Sequence, residues 1–292
     1  MMLPERFQVT AADLLGQGGE SQVYALGADR VLRIYKPGIS PAYIERRRAF
    51  YAQLQARRPP FETPQLLETG VADGRVYAVE RRMRGRDFSH VLPTLEGAAR
   101  ERALASYLDV AGQIGAIAFP ELPFGELLRA DELIQRPTWP GYLRERVQRT
   151  LALSRPDLEQ DVPGLDAVIA DFDRRLAALE GFAAKQLVHG DYFPGNVFID
   201  DDLTICGVGD FGYTTLVGDG RMDLAGAVAF LEVLPGHRPE DTALLTRLAA
   251  ERRGPEILPF IQLYRRYYAL YFSVCKGADD VTYAWCVREL SS

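Results

Sequence analysis

The stretch that most limits the fold is KQLVHGDYFPGNVFIDDDLTICGVGDFG, residues 185–212. Its two short apolar runs are separated by glycine, proline and acidic residues. Each run is too short for a helix, so together they read as a hairpin-like platform. Alanine- and leucine-rich tracts surround it at 95–119, 139–153, 165–179, 223–234, 241–251 and 257–275, and these read as helices. The second part of the chain is therefore mainly helical, with a small β element set into it.

The first eighty residues have a different texture. FQVTAADLLG, SQVYALG, DRVLRIYKPG, QLLETGV and RVYAVE are short strand-like runs broken by glycine, and they predict a five-stranded antiparallel sheet. One helix interrupts them at 41–56, opened by Pro41 and carrying Tyr43, Phe50, Tyr51 and Leu54 at helical intervals. The expected class is α+β and two-lobed: a small antiparallel-sheet lobe at 1–80 and a larger, mainly helical lobe at 81–292.

Composition narrows the partners. A chain of 292 residues that is 47% hydrophobic and 25% charged can build cores for both lobes. The net charge of −6 argues against nucleic acid, whose binders present a strongly basic face. No apolar run reaches the roughly 20 residues of a membrane span and the start lacks a signal pattern, so a cytoplasmic protein without a membrane partner is expected. Cys206, Cys275 and Cys286 are scattered and form no CxxC pair, which suggests neither a zinc site nor a disulfide framework.

The chemistry is carried by His189-Gly190-Asp191-Tyr192-Phe193-Pro194-Gly195-Asn196 and, downstream, Asp210-Phe211-Gly212. Phosphoryl transfer from ATP requires a carboxylate near the acceptor hydroxyl and oxygen ligands for Mg2+ flanking the phosphates. An Asp with an Asn five residues on, followed by a second Asp heading DFG, supplies that set in the order of a kinase catalytic loop. Near the start, Gly16-Gln17-Gly18-Gly19-Glu20-Ser21-Gln22-Val23 fits G-x-G-x-x-G-x-V except at Ser21. It lies between two strands, the setting of a phosphate lid rather than of a dinucleotide-binding turn.

These motifs resemble the aminoglycoside phosphotransferase and choline kinase group of protein-kinase-like enzymes, from Leu15 to LYRRYYALYF. HGDYFPGN resembles that group's HGDxxxxN loop, and GVGDFGYTTLVGDGRMDLA its metal-binding Asp with a downstream DLA. The resemblance implies Asp191 as catalytic base or acceptor-orienting group, Asn196 and Asp210 as magnesium ligands, and Asp223 as a support for the loop. It places ATP against Gly16, Gly18, Gly19, Ser21, Val23 and Arg33, with Val79, Glu80 and Arg81 forming the hinge beside adenine. The glycine after His189, where protein kinases carry arginine, implies a small-molecule hydroxyl acceptor such as an aminoglycoside, a choline-like alcohol or a sugar.

Two positions depart from the pattern. Arg33 stands where the group's strand lysine is expected, and the acidic helix partner falls on or near Arg47, Glu45 being the helix's only carboxylate. These departures motivate the rival reading, a nucleotide-binding scaffold with weak or no catalysis. Other expectations are plainer. His189 holds the loop, the tyrosines of LYRRYYALYF pack in the core, and Arg46, Arg47 and Arg48 form a solvated helix face. Trp139, Tyr142 and Asp219 are expected to face the cleft and shape the acceptor pocket.

Overall fold

Turn chemistry and strand alternation build the small lobe. The computed structural model describes residues 5–129 and 131–292. β1 (Leu14–Gln17), β2 (Ser21–Ala25) and β3 (Arg30–Tyr35) precede a helix, α1 (Pro41–Ala56), and β4 (Leu66–Ala72) and β5 (Arg75–Arg81) follow it. The sheet is antiparallel in the order β1-β2-β3-β5-β4. Asp73 and Gly74 join β4 to β5 with φ of 50° and 70°, the left-handed pair that a two-residue hairpin demands. Pro41 opens α1, and the Ser40 hydroxyl caps it by accepting from the Tyr43 N–H.

Alternation gives the sheet two unlike faces. Tyr24, Leu32, Ile34, Tyr77 and Val79 form one apolar cluster, against which Phe7 and Val9 pack. Val31, Arg33 and Tyr35 lie on the other face with Ala78 and Glu80, turned toward α1 and the larger lobe. The inward side of α1 belongs to the main core, where Phe50 lies 5.7 Å from the ring of Phe211 and 6.2 Å from that of Phe119. Burying side chains of this size stabilises by about 1.5–3 kcal/mol each. The helix is thus fastened to the larger lobe as well as to the sheet.

The larger lobe runs β6 (Arg86–Asp87), α2 (Phe88–Val91), α3 (Gly97–Ile114), β7 (Phe124–Glu126), β8 (Gln135–Arg136), α4 (Trp139–Asp161) and α5 (Leu165–Arg175). It continues through β9 (Gln186–Val188), β10 (Val197–Ile199), β11 (Ile205–Val208), β12 (Leu216–Gly218), α6 (Arg221–Ala229), α7 (Pro239–Arg253), α8 (Leu258–Phe272) and α9 (Asp280–Leu290). β10 and β11 make a hairpin extended by β6, while β9 pairs with β12. The segment between β9 and β10 is therefore pinned by a sheet at each end.

The expected elements form; the short β6, α2, β7, β8 and β12 were not expected, and three larger differences stand beside them. The first strand begins only at Leu14, because residues 11–13 make a 3-10 turn in which the Thr10 N–H and hydroxyl both donate to Asp13. α4 runs past residue 153 and through Pro156 to Asp161, with Leu158 fully buried near its end. α9 was not foreseen. Its Val281, Thr282, Tyr283, Trp285 and Val287 have modest helix propensity, and packing of Trp285 and Cys286 into the core decides the conformation. Among the described residues, no helix is long and apolar enough to cross a membrane.

Candidate active site

The loop after β9 is shaped by what its backbone must satisfy. Gly190 has φ of 77°, and a Cβ there would collide with the Thr214 carbonyl oxygen, so only glycine fits. The Asp223 carboxylate, at the start of α6, accepts from the N–H groups of His189 (2.7 Å) and Gly190 (3.0 Å). Burial pushes that carboxyl up to about 7, against the opposing pull of those two donors. Asp223 is the support that the resemblance implied.

His189 is fully buried. Its Nε2 lies 2.8 Å from the Gly209 carbonyl, and its Nδ1 accepts from the Asp191 N–H at 3.3 Å, an arrangement that selects the Nε2–H tautomer. Burial holds its pKa below the usual histidine range, so the ring is neutral and ties the loop to the strand end before Asp210. Tyr192 stacks on Tyr107 at 4.6 Å and donates its hydroxyl to the Tyr107 carbonyl at 2.9 Å. The loop is rigid for these reasons.

On this frame stand three oxygen-bearing side chains. Asn196 donates from Nδ2 to the Asp191 backbone carbonyl (2.8 Å) and to its carboxylate (3.3 Å), which leaves the amide oxygen unspent on Asp191. The Gly209 N–H donates to the Asn196 carbonyl at 2.7 Å, so the β10–β11 hairpin sets Asp210 beside Asn196. Burial, then the nearby Asp210 charge, push the half-buried Asp191 carboxyl up to about 6, and Asn196 opposes them. At Asp210 burial also works upward, but Arg33 and then Arg47 outweigh it and hold the carboxyl below its usual range. Asp210 itself has φ of 55°, unusual for a residue with a Cβ.

Facing this trio is the turn between β1 and β2. A Cβ placed on Gly16, Gly18 or Gly19 would meet nothing within 4 Å, and none of the three has a left-handed φ. The protein's own packing does not require these glycines. The bare backbone is open to whatever approaches from outside the chain. Ser21 is buried and accepts from Arg33 Nη1 at 3.0 Å, and Val23 pairs in register with Arg33. Arg33 also forks onto Glu80, with Nε at 2.9 Å from Oε1 and Nη2 at 3.4 Å from Oε2. Lys36 lies past the end of β3 and is exposed.

Four expectations are corrected. Val79 is not brought to the site: its side chain lies on the outer face of the sheet, and both neighbours of β5 are paired. Glu80 does face inward, but it is committed to Arg33. Arg47 is no solvated residue; its side chain is only 2% exposed and reaches Glu20 and Asp210, each at 3.4 Å. Trp139, Tyr142 and Asp219 are core: Trp139 donates to the Tyr264 hydroxyl, which donates to Asp219, and Tyr142 stacks on Trp139. Helical spacing in WPGYLRERV could have indicated this, since the aromatic side of α4 is the side facing α8.

Sequence reasoning also missed Glu20 and the pairing of Glu80. Nothing local marks either one, because their partners lie 27 and 47 residues away. Removing Asp223 tests the frame. Asp223→Ala should lower unfolding free energy by about 3 kcal/mol or more, because two buried N–H groups lose their acceptor at about 1–3 kcal/mol each. Asp223→Asn retains one acceptor and should lose roughly half as much. A denaturant titration in which Asp223→Ala unfolds with the parent would show that the loop is held by something else.

A small sheet lobe with one helix, set over a helical lobe that carries the loop and hairpin, is the protein-kinase-like architecture. The sequence model of the phosphotransferase enzyme family (APH) matches residues 12–267, and the chain belongs to that family. Among solved structures it is similar to aminoglycoside 2′-phosphotransferase-IIIa in its GDP complex, at 14% identity over 95% of this chain and 90% of that one, with a TM-score of 0.67. It is also similar to a putative fructosamine-3-kinase from Haemophilus somnus 129PT (14% identity, 95% and 90% covered, TM-score 0.63). A third is macrolide 2′-phosphotransferase type I (17% identity, 96% and 90% covered, TM-score 0.60). No curated protein matches the chain in sequence.

Proposed function

We propose that the protein transfers the γ-phosphoryl group of ATP to a hydroxyl of a small molecule in a magnesium-dependent reaction. The observation that carries the reading is the convergence of Asp191, Asn196 and Asp210 on one loop and hairpin, opposite a bare glycine turn under which Arg33 is fixed. In this reading residues 1–80 form the nucleotide-binding lobe, and 81–292 carry the catalytic loop and the acceptor site. ATP and ADP complexes among the similar structures support a nucleotide in the cleft.

The donor set fits magnesium. Asp210 offers carboxylate oxygens and Asn196 an amide oxygen, both hard ligands, and Mg2+ is usually held by one or two such groups plus substrate phosphates. When bound between Asp210 and Asn196, such an ion would screen the charge of the phosphates. Asp191 orients the acceptor hydroxyl and takes its proton. Arg33 donates to phosphate oxygens, and the amides of the glycine turn cover them.

The reading is tested first by binding. Asp210→Ala should weaken Mg-ATP binding about tenfold or more while leaving metal-free nucleotide binding within about twofold, the energy of one lost charge-assisted contact. Calorimetry on the two proteins, with and without Mg2+, decides it; equal Mg2+-dependent affinities would remove Asp210 from the metal site.

A further inference from the structure

The pairing of charges in the cleft is rewired relative to the sequence expectation. Arg33 takes its carboxylate from the adjacent strand, Glu80, so its pairing is complete within the sheet. α1 contributes no carboxylate to the cleft, because Glu45 is exposed and turns to Arg48 and Thr69. The helix instead contributes a cation. The Arg47 guanidinium is ringed by Tyr35, Tyr43 and Tyr51, with centroids 5.8–6.0 Å away, and its Nε is buried with no partner.

Sealing a guanidinium in this way is unfavourable unless carboxylates compensate. Its two ion-pair partners sit on the two pieces that bracket the phosphate site. Nη1 lies 3.4 Å from Glu20, between Gly19 and Ser21 in the glycine turn, and Nη2 lies 3.4 Å from Asp210. Both contacts exceed the 2.7–2.9 Å of tight charge-assisted bonds, so one cation is shared between two anions. A second link runs parallel to the first from the same helix. The Tyr43 hydroxyl donates to Glu20 at 3.4 Å, and its ring stacks at 4.8 Å on Tyr213, three residues after Asp210.

We propose that Arg47 is a positioning residue that couples the glycine turn to the metal-binding carboxylate. It draws Glu20, and with it the turn, over the phosphates, and it holds Asp210 in its left-handed conformation for the ion. Arg47 thereby links two events, closure of the turn and occupancy of the Asp210 site, that would otherwise be independent. This rests on the ATP and magnesium reading above and assigns the coupling within it.

The test is nucleotide binding by calorimetry on the full chain, with ADP and a non-hydrolysable ATP analogue, each in Mg2+ and in EDTA. The quantity read is the gain in affinity that Mg2+ confers. Arg47→Gln and Glu20→Gln should each cut that gain about tenfold, and the double variant should lose no more than Arg47→Gln alone, as coupled neighbours do. Arg47→Lys, which keeps a charge, should recover part of it, whereas a merely structural role would shift the melting temperature and leave the gain intact. An unchanged gain in Arg47→Gln, or losses that multiply in the double variant, would overturn the proposal. Should Arg47→Gln fail to fold, Glu20→Gln decides alone, since that side chain is 26% exposed and its loss leaves the core intact. Absence of any Mg2+-dependent binding by the unaltered protein would overturn the functional reading and this proposal with it; normal binding with unaffected variants overturns this proposal only.

Discussion

Asp191→Ala is expected to bind Mg-ATP within about twofold of the unaltered protein and to consume it about a hundred- to ten-thousandfold more slowly, the usual contribution of a positioned general base. At 1.36 kcal/mol per factor of ten, that is about 3–5 kcal/mol of lost transition-state stabilisation. The loss should appear in kcat rather than in KM for ATP, because the proposed function assigns Asp191 to the acceptor and the turn and Arg33 to the nucleotide. Asp191→Asn should behave alike and is the cleaner variant, since Asn keeps a carbonyl oxygen to receive the Asn196 donor. Steady-state kinetics on an acceptor found by screening, or on basal ATP hydrolysis, measure it; wild-type turnover in Asp191→Ala would reassign the loop.

Arg33→Ala should impair ATP use by about one to two orders of magnitude, equivalent to the roughly 1.5–3 kcal/mol of a charge-assisted hydrogen bond, while Lys36→Ala changes little. The register supports this ranking. Arg33 pairs with Val23 and Ala78 on the inner face and is hydrogen-bonded to Ser21, whereas Lys36 is exposed beyond the strand. Arg33→Ala would also strand the buried Glu80 carboxylate, a separate cost. Pairing Arg33→Met with Glu80→Gln removes both charges, so a defect that persists in the double variant is assigned to phosphate contact and one that vanishes to the stranded carboxylate. An ATP titration in which Lys36→Ala is the weaker binder would move the phosphate contact to Lys36.

Local pattern carried most of the fold into view. The bounds of α1 follow from Pro41 and its apolar spacing, and the number of strands follows from glycine-punctuated runs, whereas the insertion of β5 between β3 and β4 is written in no local pattern. The loop and hairpin were legible because backbone geometry and acid placement are both written in a short stretch, HGDYFPGN to DFG. What stayed hidden was set by partners far along the chain. Arg47 looks like its neighbours Arg46 and Arg48 in the sequence, and its burial comes with partners far along the chain, Glu20, 27 residues back, and Asp210, 163 residues on. Trp139 and Tyr142 read as cleft residues because their stretch exceeds what the core of the fold requires. Their burial depends on α8, where Tyr264 accepts from Trp139 and donates to Asp219. Val79 was named with Glu80 and Arg81 for one hinge, but successive strand residues face opposite sides, and Val79 takes the outer one.

The central claim is phosphoryl transfer to a small-molecule hydroxyl, and the most direct measurement follows the phosphate. The purified protein, Mg2+ and ATP are incubated with a panel of hydroxyl-bearing metabolites and antibiotics, with Asp191→Asn as the blank, and products are read by mass and by phosphorus NMR. The account predicts that at least one acceptor gains a single phosphoryl group as ADP appears in equal amount, and that both signals vanish in the blank and in EDTA. Tight Mg-ATP binding with no phosphorylated product and no ATP loss across the panel, indistinguishable from the blank, would contradict it and favour the non-catalytic scaffold.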